Sequence, residues 1–375
     1  SIFVSTLNTK NIFMKLKVFF LSLLASCSVF AQKSDIWTSF YDNEEYLFGF
    51  KNSKGEVMIE PKFMGFTSAN KFDKIAAFME DTNGEFSSYY MLKNGKKFGK
   101  DSLYVFDMAF DCENEGFIKF RDPKTGNVGM FNTAGKVAIP ALYNDMTPFE
   151  NGLSVALKGA KLTKEDDEHS FWAGGENLLI NTKNEVLVKN FQNNQLTLDF
   201  HSLRIQSQPE KSAERVSFLG TNGKYYSFID NEKLFENFLN QKFFKNLSKK
   251  SLLKNSYEKI VYWDEEKGWI SQPAKDFLEK NHAILLERLE GYKNKKNVQI
   301  RVDSSTPLTE DIEQKIQHHY NNCGRRNMSK YPFFSLVMTY RDENGKFLDQ
   351  DYFSFLRTEK GFKFISCSIR NHTLK

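Results

Sequence analysis

FGFKNSKGEVMIEPKF (48–63) and VGMFNTAGKVAIPALY (128–143) align without a gap, placing Gly49 on Gly129, Gly55 on Gly135, Ile59 on Ile139 and Phe63 on Tyr143. Each reads as an apolar strand, a polar Asn-x-x-Gly turn and a second strand rich in β-branched residues, which is the chemistry of a hairpin. Three more turns follow the same plan: LKNGKK (92–97), NTKNEV (181–186) and GTNGKY (220–225). The turn positions Gly55, Gly95, Gly135, Asn184 and Gly223 are therefore spaced 40, 40, 49 and 39 residues apart. Asn is the common substitute for Gly where φ is positive, so the exchange at 184 preserves the backbone requirement. Positive φ is expected at all five positions, each joining two strands.

The repeat extends beyond the hairpin. TPFENGLSVAL (147–157) is echoed by ENEGFIKF (113–120) and more loosely by KFDKIAAF (71–78). One unit is a hairpin, a Pro-bearing connection and another short strand. A unit of this size cannot bury its apolar face alone, so neighbouring units must stack. The string G-[FM]-x-[ND]-x-x-G-[KE]-V-x-I, then an aromatic residue, then P-F-x-x-G-L-x-V, resembles the WG repeat of exported bacterial proteins. That family takes its name from a Trp-Gly pair, and Phe48 and Val128 stand here in place of the Trp. The resemblance covers residues 46–157 well and 177–230 weakly. It implies a β-rich repeat module with no established catalytic role.

From about Phe235 the period changes. FENFLNQKFFKNLSKKSLLKN (235–255), PAKDFLEKNHAILLERLEGY (273–292) and TPLTEDIEQKIQHHY (306–320) carry helical spacing, the last with Thr306 as its expected cap. The tail alternates as strands: FFSLVMTY (333–340), the turn DENG, KFLDQDYFSFL (346–356), the turn TEKG, and FKFISCSI (362–369). The expected fold is a mainly β repeat module of stacked hairpin units over 32–238, followed by a smaller α+β domain with a C-terminal antiparallel meander over 239–375. Charge divides at the same place: 24 basic and 30 acidic side chains lie in 32–239, against 25 and 17 in 240–375.

The chain of 375 residues has 37 Phe, 15 Tyr and only 8 Pro, a bias suited to pleated surfaces. Residues 1–31 read as an upstream extension plus a signal peptide: Met14 opens MKLKVFFLSLLASCSVFAQ, with a basic start, a short apolar core and an A-x-A-type site ahead of Gln32. Leu24-Ala25-Ser26-Cys27 also resembles a lipobox, so a lipid anchor at Cys27 is the rival to release. Location is thus periplasmic or secreted, or else that of a membrane-anchored lipoprotein. No other apolar run is long enough to span a bilayer. Beyond residue 31 the side chains total 49 basic and 47 acidic, too even for a nucleic-acid binder. Cys112, Cys323 and Cys367 remain; buried free thiols and a Cys323–Cys367 bridge are both open readings.

Phosphate loops, zinc-protease and nucleophile-elbow signatures are absent from the sequence. His319 and Cys323 could share a helix face, but a zinc site needs further ligands. Asp342-Glu343-Asn344-Gly345 reads as a hairpin turn rather than a calcium loop, and Glu165-Asp166-Asp167-Glu168 as a solvated acidic run. No catalytic residue, cofactor or metal is assigned. Trp263 and Trp269 flank DEEKG (264–268), an expected hairpin tip, and are the candidate ligand-binding aromatics, with packing into the core as the alternative. The functional expectation is a non-catalytic exported protein of the cell envelope whose repeat surface binds protein or glycan. The alternative is an exported hydrolase-like enzyme with its site in the C-terminal domain.

Overall fold

Opposite Gly49 in the neighbouring strand stands Phe40, and opposite Gly129 stands Phe120. Each aromatic ring lies across its glycine, because a strand glycine leaves an open patch that a cross-strand ring can cover. The computed structural model describes residues 35–65, 67–166, 169–192, 197–292, 298–303, 305–370 and 373–375. The expected signal segment, Cys27 and Gln32 lie outside these residues. The two aligned hairpins carry one register: Phe48 pairs with Phe63, Phe50 with Ile59 and Lys51 with Val57, as Val128 pairs with Tyr143, Met130 with Ile139 and Phe131 with Val137. Both ladders are bulged at the same two steps. The copy at 176–188 keeps this register, with Leu179 on Val188 and Ile180 on Val186. There the large and small partners are exchanged, Ala156 facing Leu178.

These hairpins belong to consecutive sheets. Seven strands run from Trp37 to Phe98, three from Phe117 to Tyr143, four from Asp145 to Val188 and three from Leu198 to Asp230. Their cores overlap in series. Phe50, Phe63, Phe72 and Phe78 form the first; Ile75, Tyr90, Phe120 and Phe131 the second. Val128, Ile139, Phe149 and Ile180 make the third, and Leu153, Leu179, Phe191 and Phe228 the fourth. Each unit thus completes the core of the next, as a stacked array requires.

Helical structure begins at Asn231, where the Asp230 carboxylate accepts from the Glu232 N–H and caps α1 (Asn231–Phe238). The single helix expected over 235–255 is instead broken: α1 passes into a π turn at Leu239–Phe243, a 3₁₀ turn at Phe244–Asn246, and then α2 (Lys249–Asn255). The π turn holds both Leu239 and Phe243 in the core. Helix α3 (Ala274–Tyr292) follows the expected face, with Phe277, Leu278, Leu285 and Leu289 buried. Helix α4 (Glu310–Lys315) starts after Thr309 rather than Thr306, because the Thr306 hydroxyl donates to Asp303 (2.8 Å) instead of capping a helix.

The expected meander is present as Phe333–Arg341, Phe347–Thr358 and Gly361–Ser368. The strand Val298–Val302 extends it on one side. On the other, the hairpin Ser256–Asp264 and Gly268–Pro273 joins in parallel to Gly361–Ser368, giving six strands. One sheet face packs Phe334, Leu336, Phe353, Phe355 and Phe364 against α1–α3. At one end of the other face, Phe333, Leu356 and Ile365 meet Ile312 and Ile316 around α4.

The residues from Trp37 to Lys375 form one compact unit. Cys112 and Cys323, 211 positions apart, form a disulfide with Cα atoms 5.6 Å apart. This overturns the free-thiol reading for Cys112 and Cys323 as well as the Cys323–Cys367 bridge, and leaves Cys367 as a buried thiol. The pairing arises because the loop after α4 reaches the repeat array, where both the Asn70 and Lys71 N–H groups donate to Asn322 O (2.8 and 2.9 Å). Asn321–Arg325 repeats the hairpin-turn pattern of the array: the Gly324 N–H donates to Asn321 O, and Asn321 Oδ1 accepts from the Cys323 and Arg325 N–H groups. Among the described residues no helix is long and apolar enough to cross a membrane.

Candidate functional site

The five turn positions have φ of 83° at Gly55, 84° at Gly95, 68° at Gly135, 63° at Asn184 and 74° at Gly223. Each lies between two paired strands and donates its N–H to a residue three back, Asn52, Leu92, Asn132, Asn181 or Gly220. Asp342-Glu343-Asn344-Gly345 closes in the same way, and Asp342 Oδ1 accepts from the Asn344 and Lys346 N–H groups, so this carboxylate serves the turn. Of the acidic run at 165–168, Asp167 and Glu168 lie outside the described residues, and Asp166 accepts from His169.

Cys323 is committed to its disulfide, and His319 is buried with its ring stacked on Tyr331 at 3.8 Å. The two do not form a shared metal site. Among the described residues no group of three His, Cys, Asp or Glu side chains is placed to hold an ion.

Trp263 and Trp269 are a directly opposed pair on the hairpin Ser256–Asp264/Gly268–Pro273, their rings 5.5 Å apart at 75°. They remain 48% and 38% exposed, which sets aside core packing as their role. Trp269 forms one wall of a cleft of about 270 Å³ on the sheet face opposite α1–α3. Ser335, Ser354 and Ser366 stand side by side across three adjacent strands, and Tyr352 and Ser368 occupy the next row. Ser354, Ser366, Tyr352 and Ser368 line the cleft together with Asp303, Ser305 and Pro307.

Asp303 sets the direction of the hydrogen bonds. Its carboxylate accepts from the Ser305 N–H (2.8 Å) and hydroxyl (2.9 Å), the Thr306 hydroxyl (2.8 Å) and the Ser335 hydroxyl (2.7 Å). Burial pushes this carboxyl up, but the hydrogen bonds from Ser335, Thr306 and Ser305 outweigh it and hold the group below its usual range. Because Ser335 donates to Asp303, the 2.6 Å contact between Ser335 and Ser354 must be a donation by Ser354. The Ser354 oxygen is left to accept. Among the described residues no Lys, Arg or His lines the cleft, and its carboxylate, Asp303, is already committed to four hydrogen bonds. Burial raises the Cys367 thiol well above its ordinary value, which keeps it protonated and inert.

The two Trp residues were legible in the sequence, whereas Asp303 and the serine row were not. A signal existed in Phe-Ser-Leu (334–336), Phe-Ser-Phe (353–355) and Ile-Ser-Cys-Ser (365–368), where Ser interrupts strands otherwise built from large apolar residues.

A second cavity, about 310 Å³, lies beside the disulfide where the loop 321–325 meets the array. Its polar groups bind one another. The Lys119 ammonium stands 3.5 Å from Asp111, Tyr104 donates to Asp145 (2.9 Å), and buried Glu113 accepts from the Lys74 and Ile75 N–H groups (2.7 and 2.8 Å). Burial pushes Asp111 and Glu113 upward, against the pull of Lys119 on the first and of the two N–H groups on the second. These contacts hold the junction together.

No curated protein and no solved structure matches the chain significantly. Residues 129–161, which span the hairpin at Gly135, the Pro-bearing connection and the following strand, match the family model described as a WG containing repeat, as a single degenerate copy.

Proposed function

We propose that the chain is an exported, non-catalytic binding protein of the cell envelope, in which the β-repeat array is a scaffold and the C-terminal sheet holds the ligand. The observation that carries this reading is the exposed Trp263–Trp269 pair beside a hydroxyl-floored cleft whose carboxylate, Asp303, is committed to hydrogen bonds and which has no Lys, Arg or His among the described residues of its lining. Amphipathic aromatic walls with a few oriented polar groups are the usual makeup of a binding pocket. The repeat match adds a module type that typically presents extended surfaces. Export rests on the residue pattern at 14–31, with mature ends at Gln32 or at lipidated Cys27.

Expression with the native leader followed by fractionation and intact mass tests the location. A mass starting at Gln32 gives a released protein, one carrying diacylglycerol on Cys27 gives an anchored one, and an uncleaved cytoplasmic chain defeats the export reading. Incubating the purified chain with cell-envelope polysaccharide and protein fractions tests the role: retention without turnover is expected, and release of cleaved product would make it an enzyme.

A further inference from the structure

We infer that the cleft binds a neutral carbohydrate, with a sugar ring packed on Trp269 and a sugar hydroxyl donating to Ser354. This rests on the binding-protein reading and names its ligand class.

The charge pattern selects the ligand. Among the described residues of the lining Asp303 is the one ionised group, and each of its oxygens already takes two hydrogen bonds. A cationic peptide would find no uncommitted carboxylate there. An anionic ligand would find no Lys, Arg or His among the described residues of the lining to compensate its lost hydration. What the site does offer is hydroxyl groups of fixed polarity. The chain Ser354 to Ser335 to Asp303 makes Ser354 an acceptor toward the cleft, so the ligand must bring a donor. Ser366 and Ser368 add hydroxyls beside it.

The apolar part points the same way. A sugar ring has a face of C–H groups that packs on an aromatic surface while its hydroxyls lie around the rim. Trp269 supplies that surface in the wall, and Trp263 stands beside it, its ring 5.5 Å away at 75° and 48% exposed. The cleft's 270 Å³ is small beside the ~300–1,000 Å³ of most small-molecule sites. That suits one enclosed ring, with the next residue of an oligomer passing over Trp263.

The test is calorimetric titration of the full chain with neutral oligosaccharides: α-1,4- and β-1,4-linked glucose tetramers and the β-1,4-linked N-acetylglucosamine tetramer. Binding by at least one is expected. Trp269→Ala should weaken it by about tenfold, Trp269→Phe should restore most of it, and Ser354→Ala should weaken it by about fivefold, all with unchanged circular dichroism. Failure of all three to bind at millimolar concentration overturns the proposal. So does binding unaffected by Trp269→Ala, which would move the site elsewhere while leaving the binding role intact. Preference for a peptide or an acidic glycan overturns the ligand class alone. Hydrolysis of a bound oligosaccharide would instead overturn the non-catalytic reading while sustaining the carbohydrate.

Discussion

A Cβ on Gly129 would stand 2.5 Å from the Ile139 carbonyl oxygen and 2.8 Å from the Phe120 ring; on Gly49 it would meet Ile59 and Phe40 in the same way. Neither glycine has positive φ, so both are small because a ring and a strand approach closely. Gly55 is the opposite case, at φ 83° with nothing near its Cβ position. Gly129→Ala should therefore cost about 1–3 kcal/mol through forced repacking. Gly55→Asn should be nearly neutral, since Asn184 already occupies the equivalent position. Denaturant midpoints of the two variants check this, and equal losses would defeat the distinction. A second residue-scale effect lies at Glu80. Burial pushes its carboxyl up, but hydrogen bonds from Tyr89, Lys97 and Lys62 prevail and bring it down to about 2. A depressed acid contributes stability that is present above its unfolded value of 4.5 and lost as pH falls toward about 2. Glu80→Gln should flatten that part of the stability curve, and an unchanged acid slope would show that other groups govern it.

At the scale of elements, the hairpins were legible because their register is local: an Asn-x-x-Gly turn fixes which residues face each other, and the alternation then sorts the faces. The repeats at 48–63 and 128–143 accordingly share every pairing. The helix over 235–255 was legible only in part. Its apolar spacing is compatible with a continuous α-helix, whereas the break is set by tertiary packing, where a π turn keeps both Leu239 and Phe243 inside. The cleft was less legible still. Asp303 becomes its organiser only once three strands and the loop before α4 converge, and no spacing along the chain reports that. The same packing predicts where a fragment can be cut. Phe235 is fully buried and lies 4.8 Å from Phe334 and 4.9 Å from Phe362. Residues 231–375 carrying Cys323→Ser should unfold cooperatively. Residues 240–375 lack Phe235 and Phe238 and should be weaker by at least the ~3–5 kcal/mol of a lost buried aromatic. Thermal scans of both decide it, and equal stability would remove α1 from the C-terminal core.

Across the whole molecule, the array and the C-terminal sheet are joined by two kinds of link. One is a polar network: Arg357 pairs with Asp199 at 2.9 Å, the Asn231 side-chain amide donates to Ser329 O at 2.8 Å, and Ser329 donates to Glu150. The other is the Cys112–Cys323 disulfide, whose partners no local pattern could reveal because their meeting depends on the complete fold. The loop carrying Cys323 has its own hydrogen bonds to Asn70 and Lys71, and the Lys71 ammonium reaches Tyr320 O at 3.4 Å. The native position of that loop is therefore expected to survive loss of the covalent bond. A cross-link spanning 211 positions acts mainly on the unfolded chain, by limiting how far it can expand. Replacing both cysteines by Ser should lower stability by about 2–5 kcal/mol in denaturant while leaving the near-ultraviolet circular dichroism of the native protein unchanged. The denaturant slope should rise, since the unlinked chain exposes more surface on unfolding. If the native spectrum collapses instead, the disulfide itself holds the two parts together and the hydrogen-bonded turn at Asn321–Arg325 is too weak to dock alone.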